Sequence, residues 1–202
     1  LPPEIEGGKV TVSGFRNYKY VYFSSIFSNF FSGPPALLAF VQTENNPGMV
    51  TATIIDHSFL GFRVGLDTLS TGDSVDVSEE VGWIAIPPGR YNFGSVVEFG
   101  RTGDEVTDHK FVVQTSHTYS EVPTPLVSLN SLDGGDGGYM RGYLSNSRNE
   151  IWFHLQEDQV TSLSRAHTTE TVSWMAFLQH QECNYECSTG YYKYESLCLE
   201  KC

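Results

Sequence analysis

Set beside itself at a shift of 91 positions, the chain aligns without a gap from Lys19 to Ile86, so it is built as two tandem copies of one small unit. The identities at that shift are Lys19 and Lys110, Val21 and Val112, Pro34 and Pro125, Leu38 and Leu129, Met49 and Met140, Phe62 and Phe153, Trp83 and Trp174, and Ala85 and Ala176. Ahead of the aligned block, "GGKVTV" corresponds to "FGSVVEFG", and the second copy then carries a longer loop, "GRTGDEVTD". The junction falls at "PPGR", residues 87–90, where two prolines and a glycine stop a strand. The expected domains are therefore residues 1–89 and 90–181, with a tail at 182–202.

Each copy reads as about six short strands, and no 3.6-residue apolar period runs anywhere in the chain. In the first copy the expected strands lie near residues 9–12, 18–23, 36–41, 50–55, 61–66 and 82–86. "FRVGL" alternates Phe62, Val64 and Leu66 against Arg63 and Gly65, and "FHLQ" repeats the pattern with Phe153 and Leu155 against His154 and Gln156. Phe62 and Phe153 are thus expected to point inward, with Arg63 and His154 outward. "NNPG" and "DGGDGG" read as one hairpin loop in two spellings. The expected fold class is all-β, two antiparallel β-sandwiches in series.

A hydrophobic content of 40% with 13% aromatic residues marks a chain that folds, because it has the apolar surface to offset its conformational entropy. The net charge of −12 disfavours nucleic acid and anionic lipid as partners, and no stretch is apolar enough to insert in a membrane as a helix. All four cysteines, Cys183, Cys187, Cys198 and Cys202, fall in the tail. An even, closely spaced set on a segment with no core of its own reads as two disulfides and an oxidising compartment. Zinc is the competing reading, against which stand the outer C-x3-C spacings and the Tyr191-Tyr192 pair. The opening "LPPEIEGG" has no charged and apolar leader, so a secretory signal is expected to have been removed or to lie outside this numbering.

No residue set points to catalysis: G-x-S-x-G, H-E-x-x-H and a Gly-rich phosphate loop are all missing, and no cysteine lies outside the tail. Asp56-His57 and Asp108-His109 are neighbours on strands and so point to opposite faces, which makes them unrelated surface residues rather than acid–base pairs. Asp133 and Asp136 in "DGGDGGY" lack the oxygen count and the closing acid that calcium needs, and a flexible hairpin is expected there. No cofactor and no metal is expected. Trp83 and Trp174, in "GWIAI" and "SWMAF", read as core tryptophans rather than sugar platforms. The aromatics from Tyr18 to Phe31 exceed what one sandwich face needs, and some are expected to form an interface.

The block "YFSSIFSNFFSGPPALLAFVQTENNPGMVTATIIDHSFLGFRVGLDTLSTGDSVDVSEEVGWIAI" resembles an H-type lectin domain, the module of N-acetylgalactosamine-binding agglutinins and of the discoidin C-terminal half. The resemblance runs through "GGKV", an F-x-x-x-F strand end, "PP" followed by "LL", a long hairpin, "GFRV" and the closing "WIAI", and the second copy follows it more loosely. It implies a six-stranded antiparallel β-sandwich that holds a sugar between neighbouring subunits, through an arginine and through a Trp-His pair and a Tyr before the final tryptophan. Thr53 and Leu144 stand near that arginine position, and the loops at residues 67–76 and 158–167 lack Trp-His, so galactosamine specificity does not carry over. Arg141 is the candidate substitute for the arginine, and Asp73, Asp76, Arg165 and His167 are the candidate polar loop groups. In the tail, "CSTGYYKYESLCLEKC" is similar to furin-like, growth-factor-receptor cysteine-rich repeats, which implies that further repeats follow in a longer product.

The reading that follows is an extracellular, non-enzymatic carbohydrate-binding or adhesive protein that binds glycans and assembles as a homo-oligomer or filament. The alternative is a structural subunit of an extracellular filament or surface coat, with the same fold used for contacts between subunits and no sugar bound.

Overall fold

The computed structural model describes residues 5–28, 33–68, 75–134, 138–143, 145–157, 167–178, 192–194 and 197–199. The first half of the chain forms strands β1 (Glu6–Val12), β2 (Lys19–Tyr22), β3 (Ala36–Val41), β4 (Val50–Ile55), β5 (Gly61–Thr68) and β6 (Glu79–Ile86), with a single helical turn, α1, at Ser25–Ser28. They pair antiparallel into two sheets, β1-β6-β3 and β2-β5-β4. The second half forms β7 (Gly89–Asn92), β8 (Val96–Arg101), β9 (Phe111–Gln114), β10 (Thr124–Leu129), β11 (Gly138–Tyr143), β12 (Glu150–Glu157) and β13 (Val172–Phe177), in the sheets β10-β13-β8-β7 and β11-β12-β9. Two short tail strands, β14 (Tyr192–Tyr194) and β15 (Leu197–Leu199), pair with each other. The fold is all-β and antiparallel. Every named strand pairing among the described residues of the two halves stays within one half.

In each half the two sheets close face to face on one core, because apolar side chains alternate along the strands. Ile151, Phe153 and Leu155 are fully buried on β12 while Trp152, His154 and Gln156 take the outer face. On β5, Phe62, Val64 and Leu66 are fully buried, and Arg63 is exposed. Each such side chain contributes about 1.5–3 kcal/mol on burial. Phe23 and Phe27, from the aromatic stretch after Tyr18, belong to the first core, whereas Tyr20 and Tyr22 lie outside it and are exposed. Trp174 is 7% exposed in the second core, and Trp83 packs edge-on to Phe62 with ring centroids 5.5 Å apart.

Strand register corrects the gap-free alignment of the copies. Partnered on their tryptophans, Ala39 opposite Trp83 corresponds to Val127 opposite Trp174, a shift of 88 rather than 91. Val21 opposite Phe62 corresponds to Phe111 opposite Phe153, not to Val112, which is 38% exposed. Met49 is 71% exposed beside β4, while Met140 sits mid-strand on β11 against the second core, so that identity is a coincidence of spelling. The constant shift holds on the β5/β12 and β6/β13 strands, and loops of different length move the others. β7, which begins at Gly89 inside "PPGR", is a seventh strand of the second half that the repeat does not announce.

The halves pack on each other through a third apolar cluster. Ala36 and Leu38 of β3 and Ile86 of β6 meet Val97 and Phe99 of β8, with Met175 and Phe177 alongside. At the same place the free edge of β3 is sealed by side chains of the second half. Leu37 N–H donates to Ser173 Oγ at 2.9 Å, Ala39 N–H donates to Ser128 Oγ at 3.2 Å, and Asn130 Nδ2 donates to Leu37 O at 3.0 Å. Ser173 in turn donates to Asn130 Oδ1. An edge strand's open donors and acceptors are thereby satisfied without a further strand.

Candidate functional site

A buried carboxylate anchors the hairpin loop of each half. Glu79, 1% exposed, accepts from Thr43 Oγ1 at 2.5 Å, Asn45 N at 2.9 Å, Asn46 N at 2.8 Å and Asn46 Nδ2 at 2.6 Å. Burial alone would raise its pKa, and the bonds from Thr43, Asn46 and Asn45 overcome that and hold it below the ordinary value. Its counterpart Glu170, 0% exposed, accepts from Ser131 Oγ, Asp133 N at 2.8 Å and Gly134 N at 3.2 Å. Gly134 has no amide side chain to offer where Asn46 has one. His167 fills that space: a Cβ on Gly134 would stand 2.6 Å from its ring, and its Nδ1 lies 3.7 Å from Glu170 Oε1 and 2.9 Å from Thr168 O.

This overturns the expectation that His167 is an exposed loop group for sugar hydroxyls, since it is only 8% exposed and its ring supports the loop. Asp76 is exposed, but its backbone N–H is held by Asn46 Oδ1 at 3.1 Å, next to the same anchor. Asp73 and Arg165 lie outside the described residues, as do Cys183, Cys187 and Cys202. Cys198 sits on β15 opposite Lys193, and the expected disulfides fall outside the described side chains. His57, expected at the surface beside Asp56, instead has both ring nitrogens buried. Asp56, at φ 51°, turns the chain there, and its carboxylate lies 3.3 Å from Arg63 Nη1.

Arg141 is exposed on the outer face of β11-β12-β9, where it meets groups that the sequence reading did not bring together. β11 presents Tyr139, Arg141 and Tyr143 outward, and β12 presents Trp152, His154 and Gln156; the antiparallel register sets Tyr143 opposite Trp152, Arg141 opposite His154 and Tyr139 opposite Gln156. The Tyr143 and His154 rings stack with centroids 4.8 Å apart and planes at 14°, and the Tyr143 hydroxyl is 3.1 Å from His154 Nε2. The Arg141 guanidinium lies 5.5 Å from the Tyr139 ring centroid, and the Lys110 ammonium lies 3.9 Å over Trp152. Burial, together with the nearby Arg141 charge, pushes the His154 pKa down, and Asp108 opposes the shift.

Asp108, Arg141, Tyr143, His154, Gln156 and Glu157 line a hollow of about 280 Å3 on this face. Glu157, at the end of β12, is 6% exposed, and its Oε2 has no hydrogen-bond partner among the described residues. The alternation in "GYMRGY" and "IWFHLQE" carried the signal for four of these groups, Arg141, Tyr143, His154 and Gln156; the missing step was the pairing of the two strands. Among the described residues, no cluster of three or more His, Cys, Asp or Glu could hold a metal ion, and no helix is long and apolar enough to cross a membrane. Compared with protein-family models, with curated proteins and with solved structures, the chain matches none.

Proposed function

We propose that this chain is an extracellular, non-enzymatic carbohydrate-binding protein, and that the hollow beside Tyr143 and His154 takes a saccharide. The side chains there supply what a sugar ring asks for. An aromatic pair gives a flat wall for its C–H face, Arg141 gives donors, and Asp108, Gln156 and Glu157 give acceptors for hydroxyls. The observation that carries the reading is Glu157, a buried carboxylate lining that hollow whose Oε2 has no hydrogen-bond partner among the described residues. Such a group costs about 1–3 kcal/mol while unpaired, and a saccharide hydroxyl offsets that cost. On a glycan array the native protein binds one class of sugar, and Tyr143→Ala or Arg141→Ala removes the binding. Silence of the native protein across the array overturns the proposal.

A second reading, a structural subunit that uses the fold for contacts alone, draws on the first half. Tyr22, Ile26 and Leu60 are 73%, 65% and 50% exposed around the end of β2, more apolar surface than a solitary strand end requires. A large mass by light scattering together with a silent array favours this reading over the first.

A further inference from the structure

Glu80 turns both of its backbone groups toward β3, for its C=O accepts from Gln42 N–H at 2.7 Å and its N–H donates to Thr43 Oγ1 at 2.8 Å. Along an antiparallel strand this direction alternates, so Gly82 and Ile84 also face β3, while Val81, Trp83 and Ala85 face β1. Opposite Glu80, Gly82 and Ile84 stand Thr11, Lys9 and Gly7 of β1, which therefore aim their N–H and C=O groups away from the sheet. Among the described residues, β1 has no strand on that side. Toward its end, Thr11 O accepts from Lys19 Nζ at 2.6 Å, which leaves the stretch from Ile5 to Lys9 as the open edge.

The second half shows what covers such an edge. Gly8 opposite Trp83 corresponds to Gly100 opposite Trp174, so Ile5, Glu6 and Gly7 correspond to Val97, Glu98 and Phe99. The match extends to side chains: Ser24 N–H and Oγ donate to the Glu6 carboxylate at 3.0 and 3.1 Å, and Ser116 N–H and Oγ donate to that of Glu98, each at 2.9 Å. On β8 an antiparallel strand lies along this edge, with Gly89 of β7 opposite Phe99 and Tyr91 opposite Val97, and Val97, Glu98 and Phe99 are buried. On β1 the counterparts Ile5 and Gly7 are exposed, Ile5 at 44%. β2 runs alongside, tied to β1 through Lys19 at one end and Ser24 just past the other, and it adds the exposed rings of Tyr20 and Tyr22, 4.2 Å apart, to the same flank.

We propose that this edge pairs with the β1 edge of a second copy of the chain, antiparallel about a two-fold axis at Gly7. In that register Gly7 meets Gly7 of the second copy, Glu6 meets Gly8 and Ile5 meets Lys9, so no like charges oppose and the glycines leave no side chain in the way. An axis at Glu6 or at Lys9 sets two like charges face to face, and an axis at Gly8 calls on Thr11 O, which Lys19 already holds. The sheet β1-β6-β3 of each copy then becomes half of a six-stranded sheet, and the open donors and acceptors of both edges are satisfied together. The contact stands whether or not the hollow on β11-β12-β9 takes a sugar.

The test is sedimentation of the full chain over a range of concentrations, beside Ile5→Glu and Ile5→Lys, two changes at an exposed side chain that leave the core untouched. The native chain is expected to form a reversible dimer. Ile5→Glu, which sets a carboxylate opposite Lys9 of the second copy, is expected to tighten it roughly threefold or more, and Ile5→Lys to weaken it by a similar factor. General repulsion in a chain of net charge −12 gives the opposite order, so the sign separates this contact from a change in overall charge. Hydrogen exchange adds a second reading: the Gly7 and Lys9 amides are expected to be protected in the concentrated chain and open in the dilute one. A chain that stays monomeric throughout overturns the proposal and leaves the edge to a strand of a different protein. A dimer indifferent to the charge at residue 5, or one that leaves the Gly7 and Lys9 amides unprotected, forms elsewhere and overturns it as well.

Discussion

Gly8 and Gly100 are each the strand partner of the closing tryptophan of their half, Trp83 and Trp174. A Cβ on Gly100 would stand 2.2 Å from Trp174 Cζ2, against 3.2 Å from Trp83 Cζ2 for one on Gly8. The indole therefore lies across the glycine, and the core tryptophan depends on a residue some seventy positions away in sequence. Gly100→Ala is expected to cost about 1–3 kcal/mol through overpacking, and Gly8→Ala clearly less. Urea midpoints measure both; an unchanged midpoint for Gly100→Ala contradicts the argument. The tryptophans were legible as core from their strand-like surroundings. Their glycines were not, since nothing local in "GGKV" or "EFGR" names the strand that will lie opposite. His167 was misread for a related reason: its role follows from the absence of a side chain at Gly134, a position that becomes its neighbour only after folding.

At the level of strands, period-two alternation gave the existence and the facing of most elements, because that pattern is written locally. The first copy's six expected strands all formed, with β1, β5 and β6 longer than expected and β2 shorter. The sheet order, with β6 between β1 and β3, is a matter of distant pairing and leaves no local trace. The sealed edge of β3 shows what that distance conceals, for Ser128 and Ser173 read as ordinary strand serines, and their work lies in the other half. Removing either hydroxyl strands a buried backbone N–H, at about 1–3 kcal/mol. In Ser173→Ala the Leu37 amide is expected to exchange with solvent faster than in the native chain, and in Ser128→Ala the Ala39 amide likewise. Hydrogen exchange read residue by residue checks both, and unchanged protection of these amides goes against the seal.

For the molecule as a whole, the shared cluster around Leu38 and Phe99 and the bonds to β3 couple the two halves. Heating is expected to melt them in one calorimetric transition, with calorimetric and van't Hoff enthalpies equal, and Leu38→Ala is expected to separate it into two. Two resolved transitions in the native chain contradict this. The seal on β3 also has a direction. By strand register, Leu37 and Ala39 correspond to Pro125 and Val127, while the capping residues Ser128, Asn130 and Ser173 correspond to Phe40, Gln42 and Gly82. At one of the two capped positions the second half thus presents a proline, which has no amide, and at the three capping positions the first half carries no hydroxyl. Head-to-tail growth needs each unit to display both the donor surface and its acceptor, and here the two halves divide them, the acceptor edge on the first and the capping side chains on the second. A fibre of such chains, if one forms, has to be propagated by a surface other than the one that joins its repeats.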